Sequence, residues 1–131
     1  PGGGLSSTVD RLAPLAKLLG IADRQTFARG KGPRTLKASA SDVSGLAAVK
    51  LRLTRRSGGR CFYFSGRREE LERTRCGRAF FFKVGESPDV SYLLPERLGP
   101  GRYVLDLAAV DRAGNRSALA RGSTRVVFTV R

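Results

Sequence analysis

From Pro33 onward, apolar and polar positions alternate along the chain. Leu36, Ala38 and Ala40 share one parity, Thr35, Lys37 and Ser39 hold the other, and Asp42, Ser44 and Gly45 follow as turn residues. A period of two sends successive side chains to opposite faces, so the run predicts a strand with one face buried. Val49, Leu51 and Leu53 repeat the pattern against Lys50, Arg52 and Thr54, and Ser57, Gly58 and Gly59 end it. A third run enters through Leu98, Gly99, Pro100, Gly101 and Arg102. It sets Tyr103, Leu105, Leu107 and Ala109 inward with Asp106 outward, and leaves through a turn at 111–115. Val126, Phe128 and Val130 alternate to the end of the chain. Between these lie shorter runs at 61–64, 67–75, 79–84 and 90–94, each bounded by Gly, Pro or charge. The count is about seven strands with turns every 8 to 12 residues or so, the spacing of a β-sandwich, and no long helical pattern competes with it.

Residues 1–33 carry no dominant period. Ser7 as a helix cap would place Val9, Leu12 and Leu19 on one face, but Pro14 interrupts that helix, so a short helix, a first strand and a linker stay open. The division expected is a lead-in segment or linker over 1–33 and the sandwich over 34–131. The most apolar stretch, Leu12 to Ile21, contains Pro14, Lys17 and Gly20 and is half of the roughly 20 residues a membrane helix needs. The chain opens on Pro1 without a basic-then-apolar leader, which reads as a piece of a longer, exported protein.

Composition narrows the chemistry. The 131 residues include 25 Lys and Arg against 11 Asp and Glu, a net charge of +14, with no His, Met or Trp. Absence of His removes the commonest general base and the commonest neutral metal ligand. The Gly runs 2–4 and 99–101 lack phosphate-loop spacing and read as terminus and turn. Cys61 and Cys76 allow one intramolecular bond or two free thiols, and the even count in a chain read as exported favours the disulfide and an oxidising compartment.

Three segments, ASDVSGLAAVKLRL (40–53), LGPGRYVLDLAAVDRAGN (98–115) and TRVVFTV (124–130), together resemble the immunoglobulin-like and fibronectin-type-III-like modules of bacterial secreted and cell-envelope proteins, in their actinobacterial form. The resemblance covers about 35–131. It implies a Greek-key sandwich with a tyrosine corner, in which Tyr103, after Leu98 and the Pro100–Gly101 corner, sends its hydroxyl to an upstream backbone group; an ordinary edge tyrosine is the competing reading. Two departures stand out. There is no Trp, and the cysteines are only 15 positions apart, so the resemblance implies a local staple across the charged stretch in place of an inter-sheet bond.

Asp42, Asp111 and Asn115 occupy turns whose oxygens suit calcium, although aspartates before Ser-Gly or Ala-Gly more often accept local backbone hydrogen bonds, and the expectation is no metal or other cofactor. Glu69, Glu70 and Glu72 form a carboxylate cluster, but with arginines on either side they read as solvated ion pairs, and no enzyme is expected. Positive charge remains. From Lys50 to Arg78 there are ten basic and three acidic residues, and the candidate anion-binding set is Arg52, Arg55, Arg56, Arg60, Arg67, Arg68, Arg73, Arg75 and Arg78. The expected function is a non-catalytic structural, adhesion or binding module of an exported protein, partnered by its neighbouring domains and by anionic envelope polymers, acidic glycans or lipid head groups. The alternative is nucleic-acid binding through the basic stretch 50–83, with its Phe and Tyr triplets. It is disfavoured because alternation buries part of each triplet and arginine outnumbers lysine 20 to 5, which reflects coding bias as readily as a partner.

Overall fold

The computed structural model describes residues 11–131; Ser7 and Val9 of the helix alternative and the glycines at 2–4 lie outside the described residues. Within them the chain forms ten strands and no helix: β1 (Leu15–Leu19), β2 (Thr26–Phe27), β3 (Thr35–Ser41), β4 (Leu46–Ser57), β5 (Arg60–Ser65), β6 (Glu70–Thr74), β7 (Phe82–Gly85), β8 (Asp89–Leu93), β9 (Gly101–Asp111) and β10 (Arg125–Val130). Consequently no helix among the described residues is long and apolar enough to cross a membrane.

Strands β1, β3 and β8 make a three-stranded sheet in the order β1-β3-β8, while the larger sheet runs β2-β10-β9-β4-β5-β6, with β7 also paired to β4. In immunoglobulin lettering the first order is A-B-E and β10-β9-β4-β5-β6 is G-F-C-C′-C″, as in variable-type domains, except that β7, in the sequence position of strand D, pairs with β4 in the larger sheet. The fold is an immunoglobulin-like all-β sandwich with one disulfide, Cys61–Cys76.

The alternating residues meet between the sheets as their parity requires. Leu36, Val49, Leu51, Leu53, Leu105, Leu107 and Phe128 are all at most 1% exposed, so the odd-even reading of these strands holds. Burying each such side chain contributes about 1.5–3 kcal/mol. Tyr103 and Phe128 lie opposite each other on β9 and β10 and stack with centroids 5.1 Å apart. The Tyr103 hydroxyl donates to the Gly99 carbonyl at 2.8 Å, over a buried Leu98. This is the bond a tyrosine corner makes. Two residues on, where an antibody-type domain carries its second core cysteine, stands Leu105.

Part of the segment expected as a lead-in joins the sheets. β1 pairs antiparallel with β3, β2 pairs parallel with β10, and Leu18 and Ile21 belong to the core. The sandwich therefore includes part of the segment read as a lead-in, whose strand alternative is the one adopted. Pro14 and Gly20 confine its alternation to five residues, too few to stand out in the sequence. The strand count rises for the same reason, with the first strand divided between the two sheets as β1 and β2, while β7 falls at the run expected over 79–84.

Candidate functional site

The outward parity of the larger sheet carries the charge. Register aligns Arg52 on β4, Asp106 on β9 and Arg125 on β10 in one row across the strands. Two residues along lies Thr54–Val104–Val127, and two further Arg56–Arg102–Thr129. In the first row Asp106, only 3% exposed at its side chain, accepts from Arg52 at 2.7 Å and from Arg125 at 2.6 Å. This hydrogen bonding raises the Arg125 guanidinium's affinity for its proton above the ordinary value. One carboxylate thus serves two guanidinium groups, which leaves the row with a net charge of +1. The third row has no carboxylate in it.

These rows floor a groove of about 560 Å³. One wall is the disulfide, because register sets Cys61 beside Arg56 and the chain leaving β6 returns through Cys76, Gly77, Arg78 and Ala79 along the groove. The returning segment is fixed by aromatic contacts. Phe80 packs edge-on to Tyr63 at 5.5 Å, and Phe81 lies under the guanidinium of Arg52 at 4.3 Å and of Arg116 at 5.2 Å. Arg55, donating to the Pro100 carbonyl at 2.9 Å, also lines the groove.

Arg121 belongs to the opposite wall. Its loop is held by Thr124, whose buried hydroxyl donates to the Ala118 carbonyl and accepts from the Ala120 amide, both at 2.7 Å. Arg121 donates to both oxygens of Asp23, at 3.2 and 3.0 Å. Asp23 in turn accepts from the Val127 amide at 2.8 Å. That backbone bond, and then the Arg121 guanidinium, hold the Asp23 carboxyl below the usual carboxylate range. The next residue, Arg24, lines a second cavity of about 460 Å³ together with Arg102, Arg121, Val127 and Thr129. Among the described residues, Arg24, Arg55, Arg56, Arg78 and Arg102 have no carboxylate within 4 Å.

Of the nine arginines singled out in the sequence, Arg52, Arg55, Arg56 and Arg78 line the groove. The others do not: Arg60 sits at the β4–β5 turn, Arg67 and Arg68 at the β5–β6 turn, Arg73 pairs with Phe62 on the opposite parity of β6, and Arg75 is exposed beyond it. Arg68 instead meets Glu72 at 3.4 Å on the surface. Sequence reading missed Arg102, Arg121, Arg125 and Arg24. The parity of Arg102 and Arg125, each just before an inward residue of a recognised strand, was the available signal.

The other candidates have local partners. Asp42 accepts from the Ser44 amide and hydroxyl, and Asp111 from the Asn115 amide and side chain. The Glu69 carboxylate accepts from the Tyr92 hydroxyl, and burial together with that bond pushes the Tyr92 pKa up to about 12.

No protein family and no curated protein matches the chain. Among solved structures it is similar to murine CRIg, at 18% identity and a TM-score of 0.44, over 92% of this chain and 99% of that one.

Proposed function

We propose that this domain is a non-catalytic binding module of a larger exported protein, and that its arginine groove takes anionic polymers of the cell envelope. The observation that carries the reading is the convergence of Arg55, Arg56, Arg78 and Arg102, none with a carboxylate within 4 Å among the described residues, on one walled groove of about 560 Å³ whose single lining carboxylate is Asp106. Guanidinium groups present a planar fork of donors that matches phosphate, sulfate and carboxylate oxygens two at a time. Like charges gathered without compensation repel one another, and an anion relieves that repulsion. The disulfide supports export, since such bonds persist in oxidising compartments, and the sequence resemblance to bacterial envelope modules points the same way.

The aromatic side chains favour a base-free polymer over single-stranded nucleic acid. Phe64 is buried, Phe82 packs against the core, and Phe81 is covered by Arg52 and Arg116, so of the two Phe and Tyr triplets only Phe62 lines the groove. Base stacking needs open ring faces.

The test is a binding series with a glycerol-phosphate polymer, an acidic glycan and a single-stranded oligonucleotide, matched for charge and titrated at low and high salt. A base-free polymer should bind, weaken steeply with salt, and lose about tenfold or more in affinity in the double variant Arg56→Ala/Arg102→Ala. Arg67→Ala/Arg68→Ala, which removes equal charge outside the groove, should change it little. Equal losses in the two double variants, or no binding at all, would refute the reading. An oligonucleotide bound far more tightly than the base-free polymers would replace it with the nucleic-acid one.

A further inference from the structure

We infer that the groove holds an extended chain of phosphate groups, laid across the larger sheet in two adjoining subsites, and that Arg24 makes the second. This rests on reading the groove as an anion site.

The two cavities share Arg102, Arg121 and Val127, so they are continuous. Together they run from the Cys61–Cys76 wall beside β5, across β4, β9 and β10, to the turn before β2. Neighbouring strands lie about 4.8 Å apart, so this path is on the order of 20 Å long. A lone tetrahedral anion spans little more than one such step. Arginines with no carboxylate within 4 Å among the described residues stand at both ends, Arg56 and Arg78 near the disulfide and Arg24 at the far side, with Arg102 between them. Discrete cations distributed along a continuous path match repeated anions on one chain.

Arg24 is the most telling of these residues. Its φ is +68°, a left-handed backbone that side chains other than glycine adopt at a cost, and only Glu69 among the other described non-glycine residues shares the feature. Glu69 has a partner in Tyr92. The Arg24 side chain is exposed and makes no ion pair within 4 Å among the described residues, although its charge helps lower the pKa of the neighbouring Asp23. The turn is closed locally, by the Gln25 amide on the Ala22 carbonyl and the Ala22 amide on the Gln25 side chain, and is tied to β10 where the Arg24 amide donates to the Val127 carbonyl and Asp23 accepts from the Val127 amide. Glycine would fill this position without strain, and the arginine that stands there lines the second cavity.

The experiment compares inorganic phosphate, tripolyphosphate and long-chain polyphosphate on the whole chain, for the unaltered protein, Arg24→Gly and Arg56→Ala, with a thermal melt of each. Arg24→Gly should melt at or above the unaltered protein, so any loss of binding is not loss of fold. In the unaltered protein the long chain should bind at least about tenfold more tightly per phosphate than tripolyphosphate. Arg24→Gly should abolish that gain while leaving tripolyphosphate affinity within about twofold, and Arg56→Ala should weaken both. Equal affinity per phosphate at every length, or a length gain that survives Arg24→Gly, overturns the two-subsite inference while leaving an anion groove in place. Failure of any polyphosphate or envelope polymer to bind the unaltered protein overturns both.

Discussion

Tyr103 shows how one side chain serves two requirements. Its ring stacks on Phe128 in the core, and its hydroxyl reaches the Gly99 carbonyl at 2.8 Å, satisfying a backbone acceptor at the corner that leads into β9. Burial raises the phenol above its ordinary pKa, so the hydroxyl remains a donor through neutral pH. Tyr103→Phe keeps the ring and removes the donor. It should destabilise the domain by about 0.5–1.5 kcal/mol, the net contribution of one part-buried hydrogen bond. Urea denaturation should show a lower midpoint at unchanged slope; an unchanged midpoint would mean the bond contributes nothing. The sequence pointed to this residue because the Leu98-Gly99-Pro100-Gly101 corner and the inward parity of β9 are both local features. Arg24 was not legible in the same way, since the groove it lines is completed by Arg102, Arg121, Val127 and Thr129, far along the chain.

Strands β4, β9 and β10 impose a conflict on the row Arg52–Asp106–Arg125. Asp106 ties the three strands together through charged hydrogen bonds, yet its negative charge sits under the groove proposed to receive anions. The variant Asp106→Asn retains the shape and loses the charge. Stability should fall by about 1–3 kcal/mol, because two partly buried guanidinium groups lose their counter-ion. Polyanion affinity should rise in the same variant, measured side by side with the thermal melt. A loss of both would assign Asp106 a positioning role for the arginines instead. Alternation identified Asp106 as outward-facing, but it could not name Arg52 and Arg125 as its partners, which depends on which strands are neighbours and in what register.

For the molecule as a whole, the disulfide joins stability to the proposed binding face. Cys61 and Cys76 close a loop of 15 positions, and on the chain-entropy estimate the bond contributes about 3 kcal/mol. Replacing both cysteines with serine should lower stability by about that amount, and it should also weaken polyanion binding, because the wall carrying Arg78 loses its anchor. Calorimetric melting and binding on the same samples separate the two effects. Undiminished binding by a folded double-serine variant would show that the wall stands without the bond.

What the chain order alone decided was which side of each strand is greasy. A period of two is a local property, so Leu36, Leu51, Leu105 and Phe128 could be assigned to the interior without knowing their neighbours. The fold class followed from the number and spacing of such runs. Tertiary structure decided which surface charges share a site. Arg24, Arg56, Arg102 and Arg121 are scattered along the chain, and they meet because the first strand is divided between sheets and β10 lies between β9 and β2. Long-range pairing of this kind depends on the packing of the entire sandwich and leaves no signature in any short window of sequence.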